Sequence, residues 1–358
     1  MSRAQSERHE VIVRDIIHGK EAAVDELAML LEEADDEMLR RQAGDLCRAR
    51  MQGQVQLRAI IEFSSYCRCH CTYCGLFADN ASLPRYRMTR EEIYASAQEA
   101  YAAGYRTIIL QSGEDPFYDV EMIAECIRDI KGLGEIAVVL SIGERPASEL
   151  EKWYQAGADR YLLKHETSDA SLYRQLHQGA NLSQRLAVAR TIKNIGYQLG
   201  GGFMVGLPGQ TFLTLAGDIL LLKSLGVEMA GIGPFIAHPA TPLAGSPAVN
   251  PSLCLKVLAL ARIVLPQLHL PATTALATLD TASVATAMQS GANVIMRKVE
   301  PVGYRGMYDI YPRPKAEMRS VKEQWRIDEE FIRSLGMTVD QGRGDGYEYI
   351  AKVGDQNV

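Results

Sequence analysis

The chain has 358 residues, 47% hydrophobic and 23% charged, with a formal net charge of −6. That composition describes a soluble globular protein with a sizeable core. No basic stripe argues for nucleic acid, and no apolar run reaches the length of a membrane span. The first ten residues are polar and charged, unlike a secretory signal, so a cytoplasmic protein is expected. Four of the seven cysteines fall within residues 67–74. Such crowding fits a reducing compartment and metal binding better than disulfides.

Residues 11–50 read as helices, because Val11, Val13, Ile16 and Ile17, then Leu27, Leu30 and Leu31, recur at helical spacing. They are expected as an N-terminal helical cap, residues 1–50. Leu57–Phe63 then reads as a strand. Thr89–Ala103 reads as a helix whose Thr89 and Glu92 form a capping box. Strands are expected at Thr107–Gln111, Ile136–Ser141, Arg160–Leu163, Leu199–Val205, Met229–Gly233, Pro271–Thr274 and Ala292–Met296. The intervening helices are Val120–Leu133, Ala147–Ala156, Ala170–Leu176, Ser183–Ile195, Phe212–Leu225, Ser252–Leu265 and Thr281–Ser290. Eight strands alternating with helices imply an α/β fold, a complete (β/α)8 TIM barrel over residues 51–300. The remainder, 301–358, is a C-terminal extension with a charged helix from about Lys315 to Leu335.

The first strand delivers the chain to Cys67-Arg-Cys-His-Cys71-Thr-Tyr-Cys74. Cys67, Cys71 and Cys74 stand in C-x3-C-x2-C spacing, with the aromatic Tyr73 before the last. Three thiolates on one loop can hold three irons of a cubane [4Fe-4S] cluster and leave the fourth open. A zinc site would want four ligands in two pairs, and no second pair is present. The motif resembles the signature of the radical S-adenosylmethionine (SAM) superfamily, in which the open iron takes the amino and carboxylate groups of SAM. Cys69 lies between ligands and is expected to point away.

Barrel chemistry sits at the C-terminal ends of strands. The second strand ends in Gln111-Ser112-Gly113-Glu114, where Ser112 and Glu114 offer polar contacts; a plain capped turn is the bland alternative. The fourth ends in Lys164-His165-Glu166. A carboxylate at Glu166 demands a partner and suits ribose hydroxyls or an ammonium. His165 reads as structural. Arg185 is placed to fork onto a carboxylate, against the alternative of an exposed helix ion pair. The run Gly200-Gly-Gly202 permits close approach of a flat ring, and no Gly-Lys-Ser/Thr follows to make a phosphate loop. Thr273 and Thr274 supply paired hydroxyls, whereas Met229 and Met296 read first as core filler.

Several phrases carry a narrower resemblance. Leu110-Gln-Ser-Gly-Glu-Asp-Pro116, Arg160-Tyr-Leu-Leu-Lys-His-Glu-Thr167, Met204-Val-Gly-Leu-Pro-Gly-Gln-Thr211, Gly231-Ile-Gly-Pro-Phe-Ile236, Pro271-Ala-Thr-Thr-Ala275, Gly291-Ala-Asn-Val-Ile-Met296 and Tyr304-Arg-x-x-Tyr308-x-x-Tyr311-Pro312 closely resemble the HydE family of radical SAM maturases. The resemblance implies a [4Fe-4S] cluster and SAM, with Tyr73, Gln111, Ser112, Gly113, Glu114, Glu166, Arg185 and Met204 around the SAM. It implies a substrate cavity faced by Thr273, Thr274, Met296, Tyr308 and Tyr311. The substrate implied is an iron–dicarbonyl–cyanide–cysteinate complex whose sulfur is attacked by the 5′-deoxyadenosyl radical. Companion maturases, hydrogenase pathway proteins and a ferredoxin- or flavodoxin-like electron donor are the implied partners.

Three departures stand out. No cysteine follows Cys254, so a second cluster in the tail is not expected. Lys164 replaces an expected Arg, and Arg297 and Lys298 replace an expected Pro-Asn, placing two cations near the cavity wall. These leave room for a different substrate, an acidic or amino-acid-like small molecule as in 3-methylornithine synthase or biotin synthase. A non-catalytic iron–sulfur carrier is the reading from another class, and the SAM-site residues speak against it.

Overall fold

The computed structural model describes residues 3–312, 319–347 and 350. Three helices open the chain: α1 (Arg3–Ile17), α2 (Val24–Glu33) and α3 (Asp36–Met51). Asp35 caps α3 by accepting from the Met38 amide at 2.7 Å, a contact worth about 1 kcal/mol. These helices lie on the helices that wrap the sheet. Their apolar faces pack along its flank, α2 against α9 (Phe212–Leu225) and α3 against α10 (Pro251–Val264).

Between them run β1 (Gln54–Ser64), α4 (Arg90–Ala103), β2 (Thr107–Ser112), α5 (Val120–Lys131), β3 (Ala137–Ser141), α6 (Ala147–Gln155), β4 (Arg160–Leu162), α7 (Ala170–Leu176), α8 (Leu182–Ile195), β5 (Gln198–Val205) and β6 (Met229–Pro234). After α10 come α11 (Thr274–Leu279), α12 (Ala282–Gln289), β7 (Val294–Lys298), α13 (Val302–Arg305), α14 (Val321–Ser334) and β8 (Thr338–Val339). Seven parallel strands form one curled sheet in the order β6-β5-β4-β3-β2-β1-β7. Val55 to Ser64 of β1 are buried without a break, as a parallel strand covered on both faces requires. Thr89 caps α4 with the expected reciprocal capping box to Glu92.

The expected seventh strand is where expectation and structure part. Pro271–Thr274 is not a strand. At and just before its start the backbone makes isolated parallel bridges, Met229 to His269 and Pro271 to Val294. Proline brings no N–H to a ladder, and Thr273 turns away to cap α11 by accepting from the Leu276 amide. The backbone bonds here run from the amides of His269 to Glu228, Ala230 to His269, Ala272 to Val294, and Asn293 and Val294 to Leu270. The architecture observed is therefore a curled parallel sheet wrapped by helices, TIM-like in form.

The tail returns to this sheet. Trp325 of α14 meets Tyr105 edge-on, and β8 pairs with the start of β1 at Gln54 and Val55. Asp345 then reaches Arg160 at 2.7 Å across the end opposite the cysteine loop. The first residues of the expected tail helix, 315–318, lie outside the described residues.

Candidate active site

The loop between β1 and α4 carries the three cysteines, and its shape is held by backbone contacts. Arg85 donates to the carbonyls of Ser65, Leu76 and Phe77. The Ala78 amide donates to the Cys69 carbonyl and the Thr72 amide to Leu176. Two glycines admit neighbouring loops. A Cβ at Gly113 would stand 2.2 Å from the Tyr66 carbonyl oxygen and 2.6 Å from the Cys67 Cβ. A Cβ at Gly75 would stand 2.0 Å from the Asp309 carbonyl oxygen. Gly113 thus lets the end of β2 lie on the cysteines, and Gly75 lets the tail segment that carries Tyr308 and Tyr311 do the same.

Cys67 Sγ accepts the amides of Cys69 and Glu114 at 3.5 and 3.4 Å. The Cys69 thiol also donates to it, and together these bonds bring the Cys67 thiol down to about 7. The same bond, with burial, pushes Cys69 up. Burial pushes Cys74 to about 12 and Cys71 well above the usual range. Sulfurs so buried ionise only beside positive charge, which iron provides. Among the described residues no group of three His, Cys, Asp or Glu converges on a single ion. A cubane takes one thiolate per iron, and the donor set here suits it.

These cysteines open onto a cavity of about 600 Å³. All sixteen residues singled out by motif and resemblance line it. At the cysteine end stand Cys67, Cys71, Cys74 and Tyr73, with Gln111, Ser112, Gly113 and Glu114 from the end of β2. Glu166, Arg185 and Met204 follow. Thr273, Thr274, Met296, Tyr308 and Tyr311 complete the wall.

The charged groups are knitted together. Lys164 Nζ lies 2.9 Å from Glu166 Oε2. Burial by itself would raise the Glu166 carboxyl, but Lys164, then His177 and Arg185, hold it below the usual range. Glu166 also sits at φ +66°, uncommon for a residue with a side chain. Arg185 comes from the first turn of α8, which Asn181 caps. Its Nη1 lies 3.1 Å from Glu144 and 3.6 Å from Glu114, and its Nε donates to the Lys164 carbonyl. Arg185 is therefore no exposed helix ion pair.

The apolar parts form two walls. Tyr73 packs with Leu176, Met204, Leu207 and Phe235, and its hydroxyl meets His177 Nε2 at 3.2 Å. Ile60, Ile109, Val139, Leu162 and Met296 make a second apolar group. Thr274 Oγ1 and the Tyr311 hydroxyl are 2.8 Å apart.

Several expectations are corrected. Gly200, Gly201 and Gly202 do not line this cavity. A Cβ at Gly201 would press on Leu222 and Val227 at 3.0 Å, and one at Gly202 would meet the Gly231 carbonyl oxygen at 2.3 Å. The run serves strand and helix packing; Gly231, Gly233 and Met204 present that side instead. Met229 is more than filler, since it lines the cavity and Arg58 Nη1 approaches its sulfur. Arg297 faces away and grips Asp328 of α14 at 2.7 Å, because alternate residues of a strand face opposite sides. Lys298 does line the cavity, paired with Glu62. His165 is buried beside Asp218, a structural place as read.

Sequence reasoning passes over Glu62 and Glu144. Glu144 follows the third strand in Ser141-Ile-Gly143-Glu144, the same kind of strand end as the second. Glu62 interrupts the apolar stretch Ala59-Ile-Ile-Glu62-Phe63, and a charge there is itself a signal.

The Radical SAM superfamily model matches residues 61–222. Over 277 residues, 77% of each chain, this one is 48% identical to the [FeFe] hydrogenase maturase subunit HydE of Thermotoga maritima. It is 28% identical to the 3-methylornithine synthase of Methanosarcina acetivorans over 285 residues, 78% of this chain and 80% of that one. The crystal structure of methylornithine synthase (PylB) superposes with a TM-score of 0.79 at 23% identity, covering 92% of this chain and 97% of that one, a likeness of fold. No helix among the described residues is long and apolar enough to cross a membrane. Identity of this extent, with the superfamily match, places the chain in the HydE family of radical SAM enzymes, whose cofactors are a [4Fe-4S] cluster and S-adenosylmethionine.

Proposed function

We propose that this chain is a HydE-type maturase that acts on an iron–dicarbonyl–cyanide–cysteinate precursor during assembly of the di-iron subcluster of [FeFe]-hydrogenase. The observation that carries this reading is the single cavity running from the cysteine loop to Thr273, Thr274 and Tyr311. When bound, the cluster and SAM supply one electron and the 5′-deoxyadenosyl radical that attacks the substrate sulfur. The chain's own residues hold and orient. Cys67, Cys71 and Cys74 would take three irons, and Cys69 serves Cys67 as a hydrogen-bond donor. Glu114, Glu166 and Arg185 would take the polar ends of SAM, with Gln111, Ser112 and Gly113 at its edge and Tyr73 and Met204 against its apolar parts.

Below that layer the apolar group around Ile60 and Met296 suits carbonyl ligands, and the Thr274–Tyr311 hydroxyl pair suits further polar atoms of the precursor. Enclosure keeps water from the radical. The same reading treats the barrel as complete, with 269–272 filling the place of the seventh strand in chain order, supported by the bridges at His269 and Pro271. It keeps residues 1–50, 51–300 and 301–358 as extension, barrel and tail. Companion maturases, hydrogenase pathway proteins and a ferredoxin- or flavodoxin-like donor are the partners this reading requires.

The test is anaerobic. Reconstituted enzyme with SAM and reductant receives either a synthetic iron–cysteinate complex or L-lysine. An adenosylated sulfur product from the first, and only uncoupled 5′-deoxyadenosine from the second, is expected. Productive turnover of lysine with none of the iron complex overturns the reading in favour of an amino-acid mutase.

A further inference from the structure

The cavity wall holds one further charged pair. Lys298 comes from β7 and Glu62 from β1. In the ladder Lys298 stands opposite Ile60, so Glu62 lies one inward position further along. The two side chains form an ion pair, and both line the cavity. Glu62 is 3% exposed at its side chain and Lys298 19%.

Such a pair needs a reason. Burying two charges is costly, and their attraction rarely exceeds that cost, so a buried ion pair is a poor stabiliser. Lys298 alone in the wall would select an anion. With Glu62 in contact, the wall carries no net charge but a strong local dipole. A ligand complementary to it is itself dipolar, with an anionic and a cationic or N–H-bearing end close together.

The donor count agrees. An ammonium has three N–H bonds. Among the described residues Lys298 gives one to Glu62 and one to the Arg305 carbonyl at 3.3 Å, leaving one for the cavity. A carboxylate accepts several bonds at once, so Glu62 can receive a ligand N–H beside the Lys298 bond. Behind them Glu300 is fully buried and accepts the Glu62 amide at 3.4 Å. Burial and the Glu62 charge raise the Glu300 carboxyl to about 7, against the pull of Lys298. Below that pH it stays neutral and leaves Lys298 to Glu62. Arg305 closes the back by donating to the Glu300 carbonyl.

We propose that Lys298 and Glu62 form a head-group site for an α-amino acid, the ligand carboxylate on Lys298 Nζ and the ligand amine on the Glu62 carboxylate, with Glu300 as the positioning residue behind Glu62. The site sits beside the apolar group of Ile60, Leu162 and Met296, which takes what the head group carries. This rests on the proposed function for the identity of the amino acid but not for its class. A metal-bound cysteinate and a free amino acid share this head group.

The test measures binding to reconstituted, SAM-loaded enzyme by anaerobic calorimetry. The probes are S-methyl-L-cysteine, its methyl ester and its N-acetyl derivative, none of which has a free thiol to attack a cluster. Wild type should prefer the parent amino acid to either derivative by on the order of ten-fold, as a charged hydrogen bond implies. Lys298→Met should abolish the preference for acid over ester and keep that for amine over amide. Glu62→Gln should do the converse. Because either single change leaves a charge without its mate, Glu62→Gln/Lys298→Met is the control, and it should lose both preferences.

Equal wild-type affinities, or preferences that survive in the double variant, overturn the site. Turnover separates the two readings. If the iron–cysteinate complex reacts as well in the double variant as in wild type, the head-group site falls and the maturase stands. If only L-lysine is turned over, and Lys298→Met abolishes it, the site stands and the maturase falls.

Discussion

The Arg185 guanidinium lies 3.1 Å from the Glu144 carboxylate, inside the cavity and 16% exposed. That contact, with Glu114 at 3.6 Å, fixes a charge that would otherwise have to be ordered when SAM arrives. Preorganisation of this kind lowers the entropic cost of binding. Arg185→Ala should therefore weaken SAM binding by roughly ten- to a hundred-fold, the range for a charged hydrogen bond. Iron content should be unchanged, and Arg185→Lys should recover little, since an ammonium lacks the planar fork. Anaerobic equilibrium dialysis with labelled SAM checks this. Unaltered affinity in both variants would leave Arg185 as a strut between two loops.

Cys69 is the second test. Its thiol donates to Cys67, and the proposed reading has it act on a ligand without being one. Cys69→Ala should keep about four irons per chain, as a single cubane requires, while Cys67→Ala should lose the cluster. Iron analysis and the visible absorption of reconstituted protein decide it. A cluster that survives Cys67→Ala but not Cys69→Ala would reassign the ligands.

Most of this site was legible because its residues are tied to local patterns. Cysteine spacing, strand ends and the Thr89–Glu92 capping box depend on neighbours in sequence, and each finds its place in the structure. What escaped depends on packing between distant segments. Nothing near Gly201 says that its missing side chain makes way for Leu222 and Val227. Arg297 and Lys298 look alike as adjacent cations, yet the pleat sends one to Asp328 and the other to Glu62. Only the folded loop shows Arg85 gathering the carbonyls of Ser65, Leu76 and Phe77. The segment 271–274 has strand composition, but Thr273 is taken by a helix cap.

Glu300 gives a pH-dependent prediction. Its carboxyl is raised from 4.5 to about 7 by burial and by Glu62, with Lys298 opposing, and Tyr308 and Arg305 nearby. A folded value above the unfolded one means that the native state holds the proton more tightly. Stability from this group is then complete below about pH 4.5 and is lost as pH rises through about 7. Glu300→Gln removes the titration. The variant should be more stable than wild type at pH 8, by on the order of 3 kcal/mol, and the advantage should vanish near pH 4.5. Urea unfolding at several pH values measures it; a pH-independent difference would mean that Glu300 is ionised throughout.

Arg297 supplies the last prediction, because the structure removes it from the cavity. It stands on β7 next to Lys298, but its Nε and Nη2 both reach Asp328, whose side chain is 1% exposed. Gln324 also donates to that carboxylate at 3.1 Å. Arg297→Met would leave a buried carboxylate with one neutral donor. Breaking a buried pair from one side costs about 3–5 kcal/mol, and the one-third exposure of Arg297 screens part of that, so a loss of about 2–3 kcal/mol is expected. Adding Asp328→Asn removes the stranded charge and should restore most of the loss, a coupling that independent sites would not show. SAM affinity and the discrimination between amino acid, ester and amide should be untouched in both variants, in contrast to Lys298→Met. Urea unfolding of the two single variants and the double completes the cycle. If Arg297→Met alters ligand preference while stability holds, the side chain reaches the cavity after all, and the division of labour between these two adjacent cations is wrong.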